Sequence, residues 1–578
     1  MSTLLELFNW YLPDSFGDIA ETIKDWTTYN PKHPLLFNSP LFLGLFTVFY
    51  IIYISVRTPK QGIVRQIHLL LIVLLSALSI KLLYNLIITF YYSNYDSLML
   101  PKAFYITLFL AIAICFCAYI IQLIRNKVYE ITDLFRYIYV IVFSLFFYYK
   151  AGGNYYVLLM VCAVFTHLLA KKMYNEENIT RRKIWLAFIV IANLGMLSYY
   201  KYTGFLTENI NAIFNGDLSF GNIILPIGIS FFVFEAISYA VDLYRKEMDP
   251  ARTTLDFCFY ISFFPKLVAG PIIRAKDFLP QMYQKMNLTK KEAGAAVFLI
   301  LIGLIKKAVI SDYISVNFVD RIFDLPMSYS SFENLMAVYG YALQIYCDFS
   351  GYSDMAIGLS LLMGFKIPPN FLTPYKSQSI TEFWRRWHIS LSSWLRDYLY
   401  ISMGGNRKGK FRTYLNLFLT MLIGGLWHGA SWKFVVWGGL HGGVLALERL
   451  VKQYTPLSSE KRFPRIIRIL ITFHIVAFCW IFFRAKDFTV ASQVISNIGN
   501  ISFEPEFWWT VIWNYRNVFL LVLIGYIMHF LPQRLVDNLR DGFTALPLVG
   551  KAIFVGLAFW LVFATMGSGP QPFIYFQF

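Results

Sequence analysis

Charge is what this sequence has least of. Only 15% of its 578 residues are Asp, Glu, Lys or Arg, against about 25% in a soluble domain, while 57% are hydrophobic and 19% aromatic. That balance excludes a soluble globular chain and calls for a polytopic membrane protein. Cysteine is also scarce. Cys115, Cys117, Cys162, Cys258, Cys347 and Cys479 lie in apolar stretches without C-x-x-C or Cys/His metal spacing, so they read as small hydrophobes and no metal is expected. H-E-x-x-H, G-x-S-x-G and Walker sequences are absent, which removes the zincin, α/β-hydrolase and P-loop signatures. No basic n-region opens the chain, so no cleaved signal peptide is expected. Nor do two halves match, as they would in many transporters.

Apolar runs fill the rest. A span takes roughly 20 mostly apolar residues. Candidates fall near 40–56, 67–92, 103–124, 131–149, 154–170, 184–200, 223–244, 294–316, 334–364 (read as a broken pair), 412–428, 430–447, 466–483, 517–531 and 551–567. The net charge of +17 does not indicate nucleic acid, because Lys and Arg gather in short loops beside helices, as the positive-inside rule requires. Arg57, Lys60 and Arg65 follow the first span, Arg125 and Lys127 the third, Lys171, Lys172, Arg181, Arg182 and Lys183 the fifth, and Arg245 and Lys246 the seventh. Odd-numbered spans therefore run inward. The acidic stretch before Leu41 suits an outside N-terminus.

Ionisable residues inside spans are costly and raise functional hypotheses. Glu235, Asp348, Asp354, Lys306 and Lys307 are such residues, with buried ion pairs as the competing reading. His428 and His441 lie in "GGLWHGASWKFVVWGGLHGG". The first helix here follows the basic "GNRKGKFR" and the second ends in Glu448, Arg449 and Lys452, so 412–447 reads as a hairpin with both ends at the cytoplasmic face. From Arg412 to His428 the helix rises about 24 Å, most of a hydrocarbon core of about 30 Å. An imidazole at that depth can take a proton from an attacking hydroxyl or serve as a hydrogen-bonded core residue. As one helix over 384–398, Arg385, His388, Ser392 and Arg396 would form a basic stripe opposite Phe383, Trp387, Leu391, Trp394 and Tyr398. Arg407, Lys408, Lys410 and Arg412 then either anchor the chain to anionic lipid or dock a phosphate-rich donor. His388 would sit at the inside mouth and His428 toward the outside, at opposite ends of one path.

These blocks, "TEFWRRWHISLSSWLRDYLYISMGGNRKG" and "GGLWHGASWKFVVWGGLHG", closely resemble the membrane-bound O-acyltransferase (MBOAT) family, in the alginate O-acetyltransferase-like branch. "LPIGISFFVFEAISYAVDLYR", "FFPKLVAGPIIRAKDFLPQ", "QIYCDFSGYSDMAIGLSLLMGF", "FCWIFFRAKDF" and "FIYFQF" extend the match over residues 130–578. Residues 1–129, with about three candidate spans, have no counterpart and form an N-terminal extension. The resemblance implies an all-α polytopic fold of roughly 12–15 membrane helices, some short or re-entrant, around a transmembrane tunnel. It matches the family's catalytic histidine to His428 and its second motif histidine to His388, with Arg407, Lys408, Lys410, Trp427, His441 and Asp348 as expected substrate-binding residues.

The activity implied is O-acyl transfer at the cell membrane. A cytosolic thioester, acetyl-CoA in the first reading, would supply the acyl group to a hydroxyl of an exopolysaccharide or cell-wall polymer, alginate in the named branch. An extracytoplasmic acyl-accepting or polysaccharide-acetylating protein is the expected partner, beside membrane lipids and without nucleic acid. D-alanyl transfer to teichoic acid from an acyl carrier protein is the alternative within the family. A polytopic transporter or scaffold without chemistry is the alternative outside it.

Overall fold

The computed structural model describes residues 28–30, 34–57, 131–221, 223–284, 288–454, 464–565 and 571–574. Every regular element among them is a helix, because backbone N–H and C=O groups in hydrocarbon must be satisfied within the segment. In chain order the helices used below are α1 Pro40–Arg57, α2 Ile131–Gly152, α3 Tyr156–Asn175, α4 Ile179–Phe214, α5 Ile229–Tyr244, α6 Thr254–Ser262 and α7 Lys290–Leu304. They continue with α8 Ser331–Leu362, α9 Ile380–Arg386, α10 Ile389–Trp394, α11 Lys410–His428, α12 Trp432–Tyr454 and α13 Arg465–Arg484.

Six helical stretches among the described residues are long and apolar enough to cross a bilayer: Asp133–Asn175, Ile179–Phe214, Lys290–Asp324, Trp432–Lys452, Arg465–Arg484 and Leu548–Thr565. Pro505–Asn514 and Arg516–Phe530 form a further apolar pair bent by 90°. The expected all-α polytopic architecture is therefore present. The candidate spans 67–92 and 103–124, the expected boundary near residue 129, and Cys115 and Cys117 lie outside the described residues. Cys162, Cys258, Cys347 and Cys479 are buried.

Two helix starts follow directly from sequence. Thr289 with Glu292, and Ser330 with Glu333, form reciprocal capping boxes ahead of α7 and α8, the S/T-x-x-E pattern that satisfies orphan N–H groups. The stretch 334–364, read as a broken pair, is instead one uninterrupted helix, α8, as far as Leu362. Its Asp348 and Asp354 face lysines of the helix that continues α7, so both are paired within an unbroken span. That continuation departs from α geometry in π segments at Ile305–Ser311 and Ser315–Val319.

The chain divides into two compact units. Among the described residues, one comprises 28–30, 34–35, 39–57, 131–168 and Ala251–Phe264. Its described core is aromatic: Phe49 stacks on Phe143 at 4.1 Å between ring centroids, and Phe143 meets Phe264 edge-on at 5.1 Å. The other comprises Leu36–Asn38, Leu169–Pro250 and Pro265–Phe578, and holds every candidate site residue.

Candidate active site

The α11–α12 hairpin expected from the flanking charges is present, with its three-residue turn at 429–431. It closes tightly because glycines meet at the crossing: a Cβ on Gly425 would lie 2.2 Å from the Phe434 carbonyl oxygen. At the turn a Cβ on Gly429 would lie 2.1 Å from a Phe434 ring carbon. Gly429→Ala is accordingly expected to destabilise the protein by about 1–3 kcal/mol through overpacking. Thermal denaturation of the detergent-solubilised variant, alone and combined with Phe434→Leu, reads this directly; the double variant should recover part of the loss.

His428 ends α11 and is 4% exposed. Its ring lies edge-on to Trp427 at 5.1 Å, Trp437 at 5.1 Å and Phe483 at 5.3 Å. This aromatic collar confines the imidazole.

His388 departs from expectation. The segment 384–398 is not one helix: α9 stops at Arg386, α10 starts at Ile389, and residues 395–400 are a π segment. Asn370 makes the break. Its side-chain oxygen accepts from the Ser390 N–H at 3.1 Å and the Ser390 hydroxyl at 2.9 Å, while its backbone carbonyl accepts from the Ile389 N–H at 2.9 Å. His388 is held at φ 43°, a left-handed conformation that is uncommon for a residue with a side chain. The break turns His388 inward to complete burial, away from the basic stripe on which a continuous helix would have placed it.

The same Asn370 oxygen lies 3.3 Å from His388 Nδ1. With that oxygen as acceptor, the imidazole carries its proton on Nδ1 and keeps Nε2 as an acceptor. Nε2 has no hydrogen-bond partner among the described residues. Burial lowers the His388 imidazole from its ordinary value to about 3, so it is neutral at pH 7.

The two histidines are therefore not at opposite ends of a path. His388 lies 6.3 Å from the Trp427 ring and His428 lies 5.1 Å from the same ring. Trp427 thus meets both, and it also stacks on Phe234 of α5 at 5.3 Å. His441, one helix over on α12, is fully buried. It accepts from the Trp384 indole N–H at 3.3 Å and meets Trp437 at 4.8 Å, so it shares the collar's Trp437 with His428.

The remaining expected residues lie elsewhere. Arg407, Lys408 and Lys410 are exposed on the turn leading into α11, about 27 Å along that helix from His428. Arg396, expected on the basic stripe with Arg385 and His388, is committed to Asp397 at 2.6 Å. Burial pushes the Asp397 carboxyl up, but Arg396 and Arg274 outweigh it and hold the group below the usual range. Asp348 is buried and ion-paired: its Oδ1 lies 2.5 Å from Lys307 Nζ, and its Oδ2 accepts from the Ile574 N–H at 2.9 Å. Glu235 pairs with Lys266 and also accepts from the Ile273 N–H at 3.3 Å. Lys306 pairs with Asp354 at 2.7 Å. The ion-pair reading of these charges is the one the geometry follows. No group of three or more His, Cys, Asp or Glu among the described residues is arranged to hold a metal ion.

A cavity of about 100 Å³ opens beside His428, walled by Trp427, Ser230, Gly228, Val268 and Lys201. Lys201 and Asn370 are site residues that the sequence reading missed. For Lys201 the signal was one residue short: it is a lone lysine in "LSYYKYTGF" just past the candidate span 184–200, and only the full length of α4, which runs on to Phe214, places it inside a span as Glu235 is. For Asn370 no local pattern existed, because its partners are 18–20 residues further on.

Comparison with known proteins gives this geometry its context. A model of the membrane-bound O-acyltransferase family matches residues 252–486, which include all three histidines. A peptidoglycan O-acetyltransferase of Helicobacter pylori is 37% identical over 404 residues, covering 65% of this chain and 76% of that protein. The chain belongs to the membrane-bound O-acyltransferase family. Within the family it is similar to a "probable alginate O-acetylase" of Pseudomonas putida, 46% identical over 318 residues, or 54% of this chain and 63% of that protein. The chain thus spans less than two thirds of the length of that relative, and 61% of the corresponding Azotobacter vinelandii protein. A teichoic acid D-alanyltransferase of Bacillus subtilis is more distant, at 33% over 287 residues, covering 46% of this chain and 70% of that protein. The resemblance read from the two histidine blocks is borne out.

Proposed function

We propose that this membrane protein is an O-acetyltransferase that moves an acetyl group from a cytosolic thioester to a hydroxyl of an extracytoplasmic polymer, with His428 as general base. The observation that carries the reading is the seat of His428: buried in an aromatic collar, on the wall of a cavity, and sharing Trp427 with the second motif histidine. His428 would remove the acceptor hydroxyl proton as its oxygen attacks the thioester carbonyl; the C–S bond then breaks and the thiolate leaves and is protonated. A thioester carbonyl is already electrophilic, so a positioned base and hydrogen-bond donors suffice. His388, held by Asn370, would orient the thioester.

Acetyl is favoured over D-alanyl because the peptidoglycan and alginate relatives, both named as acetylating proteins, are more similar to this chain than the D-alanyltransferase is. Residues 130–578 would form the acyltransferase core around a tunnel, with residues 1–129 as an extension. An extracytoplasmic acyl-accepting protein would pass the group on. The separation of about 27 Å between the basic turn and His428 suits a donor that docks at one face and an acceptor that reaches the site from the other.

The test is steady-state transfer by the purified protein, with acetyl-CoA and with a short acetyl thioester lacking the nucleotide. Replacing Arg407, Lys408 and Lys410 together by Gln should raise the apparent KM for acetyl-CoA by at least about tenfold, because each charge-assisted phosphate contact is worth roughly 1.5–3 kcal/mol. The short donor should be nearly unaffected, and kcat little changed. Equal losses with both donors would assign the turn to lipid contact or topology. Turnover with carrier-bound D-alanine and none with acetyl-CoA would replace the acetyl reading.

A further inference from the structure

The helix that carries His428 ends without a partner of its own. α11 stops at His428, and the next residue, Gly429, is extended at φ −162°. The last four carbonyls of an α-helix have no intrahelical donor, and inside a membrane each needs one from elsewhere. Here α4 supplies donors from two adjacent side chains. The Tyr202 hydroxyl donates to the Leu426 carbonyl at 3.0 Å. The Lys201 ammonium donates to the Trp427 carbonyl and, at 3.2 Å, to the His428 carbonyl. Its third hydrogen bond goes to Ser230 Oγ at 3.3 Å, at the start of α5. The Ser230 carbonyl in turn accepts from the Trp427 indole N–H at 3.4 Å.

A lysine inside a membrane helix is costly and ordinarily faces a carboxylate. Among the described residues no carboxylate lies within ion-pair distance of Lys201; its ammonium donates to two carbonyls and a hydroxyl and lies 5.7 Å from the Trp427 ring centroid. What offsets its charge is the negative end of the α11 dipole, which favours a cation at the last turn. The ammonium also lines the cavity beside His428.

We propose that Lys201 is a positioning residue for acyl transfer: with Tyr202 it caps α11 from outside the hairpin and fixes the backbone that aims the His428 and Trp427 side chains into the cavity. This rests on His428 as the base. Two consecutive residues of one helix thus satisfy three consecutive carbonyls of another, so α4 and the end of α11 move as one piece. The lysine makes the bonds nearest the imidazole. The tyrosine bond is one residue further back, so its loss should matter less.

The experiment compares Lys201→Met, Lys201→Arg and Tyr202→Phe in the full-length purified protein by two readouts. In steady-state kinetics, Lys201→Met should lower kcat by about 10²-fold, the scale of a displacement of about 1 Å at a reacting group, with the donor KM within about twofold of wild type. Lys201→Arg, which keeps a cation and donors, should recover much of the loss, and Tyr202→Phe should lose less. In hydrogen exchange, the peptide spanning 424–434 should exchange about tenfold faster or more in Lys201→Met, with the rest of α4, α11 and α12 unchanged. Unchanged exchange in 424–434, or faster exchange spread over the whole protein, overturns the proposal, as does kcat equal to wild type. The exchange readout needs no turnover. If wild type transfers no acyl group, the functional reading fails while exchange still decides whether the cap exists.

Discussion

His428→Ala is expected to lower acyl transfer by about 10²–10⁴-fold, the usual contribution of a positioned general base, while the protein still inserts and accumulates. The imidazole sits among Trp427, Trp437 and Phe483, so truncation leaves a small void and not a buried charge. His428→Gln, closer in volume, should lose as much activity with less effect on stability. Polymer acetylation in cells and turnover by purified protein, each normalised to membrane content, measure the effect. Near-normal acetylation by His428→Ala would remove the residue from the base role. A matched fall in membrane content would assign it to packing.

Lys307→Met should have the largest effect on accumulation. Its ammonium lies 2.5 Å from Asp348 and 2.7 Å from Asp312, and donates to the Pro572 carbonyl at 3.2 Å. One lysine therefore neutralises a buried carboxylate, Asp348, and a partly buried one, Asp312, and ties down the segment 571–574. Its removal leaves both carboxylates facing each other in a low-dielectric interior. Removing one partner of a buried pair costs about 3–5 kcal/mol, a large share of a typical folding stability of about 5–15 kcal/mol. Membrane content and the monodisperse fraction after detergent extraction should both fall sharply. Asp348→Asn should be milder, since Lys307 keeps Asp312. The pair of variants also tests the expectation that Asp348 binds substrate: a raised KM in Asp348→Asn with normal content would support it, and a loss of content with unchanged KM would make the residue structural.

The class of protein was legible in composition, because the bilayer makes hydropathy almost a direct readout of helices. The hairpin was legible too: basic flanks on both sides of 412–447 require both ends at one face, and glycine near His428 permits a tight crossing. Capping boxes at Thr289 and Ser330 were local patterns with local consequences. The family resemblance rested on two short blocks, and those blocks were enough.

By itself the sequence determined a polytopic helical membrane protein of a recognisable family, with a deep histidine at a hairpin tip, since periodicity, hydropathy and flanking charge act over neighbouring residues. The tertiary structure alone decided where His388 lies, because Asn370 reaches across from a loop to break a helix that periodicity would continue. It also decided that His388 and His428 meet at Trp427, that Asp348 faces Lys307, and that α4 caps the end of α11. Each of these is a donor, acceptor or charge satisfied by a partner distant in the chain. In a low-dielectric interior such satisfaction is compulsory, but which distant group provides it is set only by how the helices pack.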